Sequence, residues 1–402
     1  MTAMTHRERM LAALNRSDVD RIPWTPRMDL WYIANKANGT LPSRFARLNT
    51  VQIAQELGCA CHSVRADYTL SRPKEDLILR GFGLENHPDY PYRVEIRGLA
   101  FDFRHDDENF HLTVETPAGQ IVTHVKQSAE MLRDGISAPF VARYPIRAID
   151  DLDRVAILFE HLEVVPTPEN YSAFRNRIGN QGLAVANGLA VASPVHFMLH
   201  DLMPMEDFFY MYVDHSDRLH ALAERMTPFF DSALDAVLQS EAETFLWGAN
   251  YNDSITYKPF FETELVPWLR KVRERADEAG KLSISHTDGE NTGLLEVLPS
   301  SGMHVAESFC PAPMTKCTLK AFRHALGRDV AVWGGIPAVA LLPDSMSERE
   351  FDHYIDSVFA ELGTGSGLIL SVSDNVPPEA DLERLEKISR KIEDFGPVKV
   401  SG

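Results

Sequence analysis

Residues 282 to 289 read Leu-Ser-Ile-Ser-His-Thr-Asp-Gly, placing an imidazole, His286, and a carboxylate, Asp288, at the end of an alternating apolar run. On extended backbone, side chains two residues apart point to the same face, so the two can reach one metal ion or one substrate. Such a pair suits proton transfer near neutral pH or ligation of a divalent metal. Comparable residues stand where other predicted strands end: Arg27, Asn252 and Asp253, Glu307 and Cys310, Asp374 and Asn375. His286, Glu307 and Cys310 offer the nitrogen, oxygen and sulfur donors that zinc favours and leave one position open for a Lewis-acid role. Arg27 suits a substrate carboxylate. Plainer readings stand beside these. Cys310 before Pro311 also suits a small apolar strand end, Glu307 in its apolar run can pair with an arginine, and Asp374-Asn375 before Pro377-Pro378 is also turn chemistry.

These residues share a site only if strands bring them to one place. Strands are predicted to start at Trp24, Cys59, Gly182, Thr244, Leu282, His304, Val330 and Gly367, each followed by a helix, and the second runs from Cys59 to Tyr68. Eight such units point to a (β/α)8 barrel, in which side chains at the carboxyl ends of the strands face one mouth. A doubly wound sheet is the alternative, yet no Gly-x-Gly-x-x-Gly follows any strand. Between about residues 92 and 125 the apolar period changes to two, with a tight turn at Thr116-Pro-Ala-Gly119, which predicts a β-meander. The economical organisation is one barrel domain over residues 1–402 with an inserted β-rich subdomain at 85–146.

Three motifs carry less. Cys59-Ala-Cys61-His62 alternates as one face of a strand does, and zinc knots usually space cysteines by two to four residues. No Gly-x-Ser-x-Gly elbow is present, and the glycine-rich run Gly363 to Gly367 lacks the Lys-Ser/Thr ending of a phosphate loop.

The 402 residues, 44% hydrophobic and 24% charged, suit a globular protein with a sizeable core. With 40 basic against 58 acidic residues, a formal charge of −18 argues against nucleic acid or an anionic membrane as the main partner, while leaving room for local basic pockets. The first residues lack the apolar segment of a signal peptide, and no stretch reaches about 18 continuous apolar residues. A cytoplasmic location is therefore expected. Four cysteines are too few for a disulfide scaffold and fit a reducing compartment.

Several landmarks resemble the uroporphyrinogen decarboxylase superfamily, in family order along nearly the whole chain. They are Arg7-Glu-Arg-Met-Leu-Ala-Ala-Leu-Asn, Asp20-Arg-Ile-Pro, Thr116-Pro-Ala-Gly, His286-Thr-Asp-Gly, Glu307-Ser-Phe-Cys-Pro-Ala-Pro, Trp333-Gly-Gly-Ile-Pro and Ser373-Asp-Asn-Val-Pro-Pro-Glu-Ala. The resemblance implies a distorted (β/α)8 barrel. True uroporphyrinogen decarboxylases carry Met-Arg-Gln-Ala-Gly-Arg near the start, where this chain has Pro26-Arg-Met-Asp-Leu-Trp-Tyr and keeps only Arg27. With its inserted meander it looks more like the methyltransferase branch, whose members move methyl groups to or from a corrinoid on a small partner protein. Members acting on methanethiol-type acceptors hold zinc through His-x-Cys and a later Cys. Here His286 is kept, Asp288 replaces the first cysteine, and Ser373 or Asp374 stands near the second. Loss of thiolates favours a harder substrate atom such as an ether oxygen.

The resemblance thus implies a corrinoid-dependent methyltransferase of the O-demethylase kind. Zinc at His286 with Asp288, Glu307 or Cys310, or a protonated group among these or Asp374, would neutralise the leaving oxygen. Asn252, Asp253 and Asn375 would orient the substrate, and Arg27 or Arg65 would hold a carboxylate. Trp24, Trp31, Tyr251 and Trp333 admit either an aromatic substrate or core packing. The implied partners are a corrinoid-binding protein and a second copy of the chain. The alternative is a metal-independent decarboxylase or lyase on a small cyclic carboxylate, with Asp288 or Asp253 stabilising a cationic intermediate. A non-enzymatic barrel that only binds a corrinoid protein would not need ionisable groups at its mouth.

Overall fold

Parallel strands buried on both faces need near-continuous apolar sequence, and the runs around 245, 284, 306, 332 and 369 supply it. The computed structural model describes residues 3–65, 69–70, 72–136 and 138–400. In it, Leu368–Val372, Ala331–Ile336, Val305–Phe309, Leu282–His286, Thr244–Ala249 and the short Ala186–Asn187 form one sheet in that spatial order. Every pairing in it is parallel. After Leu282–His286 the expected helix is replaced by the short 3-10 turns Thr292–Leu294 and Leu298–Ser301. Helices Ser216–Gln239, Val266–Glu278, Leu319–Leu326 and Glu348–Glu361 return the chain in the other four of the five connections. Their apolar stripes, such as Leu219, Leu222, Met226 and Phe230 on the first, pack on the sheet.

Two more segments close the sheet on itself. Trp24 bridges Leu370 in parallel and Cys61 bridges Gly182 in parallel. Ala60 N donates to Trp24 O at 2.8 Å, Cys61 N to Gln181 O at 2.8 Å and Val185 N to Ser63 O at 3.1 Å. The ring therefore passes through segments near 24, 60, 184, 245, 284, 306, 332 and 369 and returns to 24, the (β/α)8 barrel with a distorted opening third. The strands expected from Trp24 and Cys59 exist as extended chain making isolated bridges, and the one expected from Gly182 is reduced to a bridge at Gly182 and the short ladder of Ala186–Asn187. Pro23 and Pro26 flank Trp24-Thr25 and remove amide donors that a ladder would use. Residues 66–68 of the second predicted strand lie outside the described residues.

The β-rich part comprises two antiparallel sheets. Phe101–His105, Asn109–Thr116, Gly119–Lys126 and Phe140–Arg143 pair in sequence order, with Thr116 opposite Gly119 at the turn. Tyr92–Ile96 instead pairs with Leu162–Pro166, which lies beyond the expected limit of residue 146. An apolar strand with its backbone groups unpaired would not persist, and the chain returning from helix Asp151–Glu160 supplies the partner. Among the described residues no helix is long and apolar enough to cross a membrane.

Barrel closure brings backbones close. Gly334, at φ 147°, would place a Cβ 2.7 Å from Phe309 N and 2.9 Å from Phe309 O of the neighbouring strand. Replacing Gly334 with alanine forces both a disfavoured φ and a backbone clash, a cost of about 1–3 kcal/mol. Urea unfolding should show a lower midpoint for Gly334→Ala, and an unchanged midpoint would mean that these strands separate freely.

Candidate active site

The parallel register of Leu282–His286 with Val305–Phe309 sets His286 directly opposite Glu307. Both side chains enter the barrel, where Glu307 is 2% exposed. Its carboxylate lies between two imidazoles, with Oε2 2.6 Å from His286 Nδ1 and Oε1 3.1 Å from His62 Nε2. His62 arrives from the extended segment after Cys61, and its ring packs edge-on against Trp333 at 5.4 Å. Trp333 Nε1 in turn donates to Thr25 Oγ1 at 2.7 Å. Three strands and the opening segment are thereby tied to one carboxylate.

Burial alone would raise the Glu307 carboxyl, but the charge of His286 and the bonds from both imidazoles hold it well below the usual carboxylate range. Burial likewise works against the His286 imidazolium, and the Glu307 carboxylate overcomes it, so the His286 pKa is raised above its ordinary value. The core of the site is a buried imidazole–carboxylate pair in which each partner favours the charged form of the other. Removing one partner from such a pair leaves a charge uncompensated, at about 3–5 kcal/mol.

With Nδ1 committed to Glu307, His286 turns Nε2 toward the mouth, 3.7 Å from Asp374 Oδ1. Asp374 follows the strand Leu368–Val372 and accepts from Arg27 Nη1 at 3.0 Å and from Asn375 Nδ2 at 2.8 Å. Its amide donates to Ser308 Oγ at 2.7 Å. Asp374 and Ser308 both occupy left-handed backbone, φ 56° and 59°, a costly conformation for residues with a Cβ that clusters at functional sites. Burial pushes the Asp374 carboxyl up, yet Arg27 and then His286 outweigh it and the net shift is downward. Asp288 goes the other way: burial raises its carboxyl, His286 opposes this, and the charge of Asp374 adds to it. One carboxylate is held charged and a second is biased toward its neutral acid in the same mouth, an arrangement that separates acid from base roles.

The expected metal ligands are not assembled as a cage. Glu307 has both oxygens bonded to imidazoles, so it orients His286 instead of facing a metal, as the partners of catalytic or ligating histidines do. Burial, with Asp288 adding, pushes the Cys310 thiol up to about 12, so it rests as a neutral thiol. Among the described residues no three of His, Cys, Asp and Glu converge as metal ligands. As placed, the donors do not fit zinc.

The residues expected to meet substrate divide. Arg27 is buried and spends its guanidinium on Asp374 and, at 3.4 Å, on Asp29, so it builds the site and does not present a carboxylate anchor. Asn375 likewise serves Asp374. Asp253 accepts the Gly293 amide at 2.7 Å and fastens the loop after the His286 strand. Asn252 forms a turn with Ser254 and lines a cavity of about 330 Å³ together with Asp288, Leu199, Met205 and Ile255. Arg65 lines a second cavity of about 170 Å³ with Arg80, Glu85, Tyr90 and Tyr92. Trp24, Trp31, Tyr251 and Trp333 are all buried and pack the core.

His200 and Asn250 line both cavities, and neither was expected from the sequence. His200 lies in a π-helical turn, Met198–Leu202, a feature frequent at functional sites. Its Nδ1 is 3.0 Å from Asp201 Oδ2, whose charge raises the His200 pKa against burial, and its Nε2 is 2.8 Å from the Asn250 side-chain amide. Asn250, at φ 59°, ends the strand Thr244–Ala249. A signal existed in the pair His196 and His200, four residues apart on one helical face. His62 was noticed only as part of a cysteine motif, and nothing in the sequence joins it to Glu307.

The sequence matches the uroporphyrinogen decarboxylase (URO-D) family over residues 130–395. No curated protein matches it. Among solved structures it is similar to a methyltransferase from Methanosarcina mazei, at 15% identity and a TM-score of 0.56, over 98% of this chain and 99% of that one. A D-psicose 3-epimerase with D-fructose matches at a TM-score of 0.32 and 9% identity, over 61% of this chain and 82% of that one. A D-psicose 3-epimerase from Clostridium cellulolyticum H10 with D-tagatose matches at a TM-score of 0.31 and 10% identity, over 62% and 84%.

The pair at the centre of the site can be titrated directly. In carbon-edited NMR of the histidine rings, with His286→Gln to assign the signal, His286 should lose its proton only above the ordinary value of about 6.5. In Glu307→Gln the carboxylate charge is gone, so the imidazolium loses its main support and the midpoint should move to lower pH. A midpoint equal in both proteins would show that Glu307 does not govern His286.

Proposed function

The chain belongs to the uroporphyrinogen decarboxylase family, and on that premise we propose that it is a corrinoid-dependent methyltransferase acting on a small O-methyl compound. The methyl group passes from an ether oxygen to Co(I) of a corrinoid carried by a partner protein, which is a co-substrate of the reaction. As the carbon–oxygen bond breaks, the oxygen keeps the bonding electrons and becomes an alcohol or phenol by taking up one proton. His286, with Nδ1 on Glu307 and Nε2 facing the mouth beside Asp374, is the observation that carries the reading. It supplies that proton from Nε2, while Nδ1–H stays with Glu307. An oxygen leaving group needs such neutralisation, and acid assistance contributes about 10²–10⁴ in rate.

Asp374, held charged by Arg27 and 3.7 Å from His286 Nε2, favours the imidazolium, and after each turnover the imidazole regains its proton from solvent. The apolar wall of Leu199, Met205 and Ile255 suits the methylated body of a substrate, and Arg65 with Arg80 in the adjoining cavity suits a substrate carboxylate. The whole-chain likeness in fold to a methyltransferase agrees with this reading. Zinc takes no part in any step here.

Purified enzyme, a reduced corrinoid carrier and a panel of aryl and alkyl methyl ethers bearing carboxylates should produce the spectral change of corrinoid methylation. His286→Ala should slow it at least about a hundredfold. In wild type the rate should fall as pH rises through the raised His286 pKa, because the proton donor is then lost. Carbon dioxide release from a cyclic carboxylate without any corrinoid would replace this reading with decarboxylation. Plasma mass spectrometry should find far less than one zinc per chain, whereas one zinc, lost in His286→Ala, would overturn the proton-donor role.

A further inference from the structure

The glycine-rich run Gly363 to Gly367 plays no part at the mouth and lies at the opposite end of the barrel, where it leads into the amino end of Leu368–Val372. Gly363, Gly365 and Gly367 have φ of 61°, 73° and 68°, so the loop follows a left-handed path open to glycine. It forms one wall of a cavity of about 400 Å³, closed on the other sides by the start of Ala331–Ile336 and the end of helix Leu319–Leu326. Into this cavity come Arg16 from near the start of the chain and Lys320, Arg323 and Arg328, with His324 beside them, from helix Leu319–Leu326 and the turn after it.

Two of these cations are fixed but not neutralised. Arg323 donates through Nη1 to Leu362 O at 2.7 Å and through Nη2 to Ser366 O at 2.9 Å. Arg16 donates through Nη2 to Val330 O at 2.7 Å from left-handed backbone at φ 51°, and a Cβ on Gly367 would collide with its guanidinium. Carbonyl acceptors orient a guanidinium without cancelling its charge. Among the described residues none of Arg16, Lys320, Arg323 and Arg328 forms an ion pair within 4.0 Å, although Glu361 stands on the rim and Asp329 attracts Arg16 from farther off. Burial lowers the Arg323 pKa and the charge of Arg16 lowers it further, the mark of cations crowded without counter-charge. In a chain of formal charge −18, such a convergence has no role in general solubility.

We propose that this cavity binds a phosphate-bearing polyanion of at least diphosphate size, at a site remote from the catalytic mouth. Two guanidinium forks held by backbone carbonyls, with the exposed Lys320 and Arg328, present more donors than one phosphate group can accept, and a chain of two or more phosphates meets them together. Thr364 and Ser366 on the glycine loop add hydroxyls to the wall. The sequence lacks a phosphate-loop lysine because the cations come from other elements.

Isothermal titration of the full chain with inorganic pyrophosphate tests the proposal, with inorganic phosphate as the comparison ligand. Near 1:1 binding is expected, at least tenfold tighter for pyrophosphate than for phosphate, and weaker as ionic strength rises. Lys320 and Arg328 are exposed, so Lys320→Ala/Arg328→Ala should fold with an unchanged melting temperature in the absence of ligand, retain methyl transfer, and bind pyrophosphate at least tenfold more weakly. No binding of pyrophosphate to wild type, equal binding by the double variant, or preference for single phosphate would each overturn it.

Discussion

A carboxylate removed from water between two imidazoles is the interaction on which the rest of the site depends. Glu307 could not stay ionised in the barrel interior alone, and His286 could not stay protonated there alone, since desolvation disfavours each charge. Together they stabilise one another, and the geometry follows: one nitrogen of His286 is occupied, so the other must face the mouth. His62 completes the arrangement by satisfying the second oxygen of Glu307 from across the ring. Because His62 sits on an irregular segment, this buried contact helps hold in place a part of the barrel that has few ladder hydrogen bonds of its own.

Charge is sorted around that pair by the elements that deliver it. Arg27, from the opening segment, neutralises Asp374 at the last strand, so the two ends of the barrel sequence meet at the mouth across a 3.0 Å ion pair. Asp288, on the loop after the His286 strand, has no such partner and drifts toward its neutral form. Two carboxylates near one imidazole thus differ in protonation because one has an arginine and the other does not. The backbone bears part of the cost, in the left-handed conformations of Ser308, Asp374 and Asn250 around the same opening.

The two ends of the barrel differ in character. The carboxyl ends of the strands carry the titratable cluster and two adjoining cavities, as expected where variable loops surround a rigid ring. The amino ends carry a basic cavity shaped by a glycine loop, with guanidinium groups fixed by loop carbonyls. A ligand there would contact the starts of the strands Ala331–Ile336 and Leu368–Val372, the second of which runs on to Asp374.

Apolar runs of strand length separated by helical periodicity determined the barrel, because parallel strands buried on both faces admit little else. The strands at 245, 284, 306, 332 and 369 were legible for that reason, as was the antiparallel meander with its period of two. His286, Asp288 and Asp374 were legible because each follows such a run. What the sequence could not decide was partnership. Glu307 reads as a ligand or a lone acid until the strand register sets it opposite His286, and Arg27 reads as a substrate anchor until closure of the ring places Asp374 beside it. His62, His200, Asn250 and the basic cavity lie tens to hundreds of residues from the groups they meet, and no local pattern encodes such meetings. Side-chain charge state depends on distances between those groups and on exclusion of water, and both come into existence only when the barrel closes.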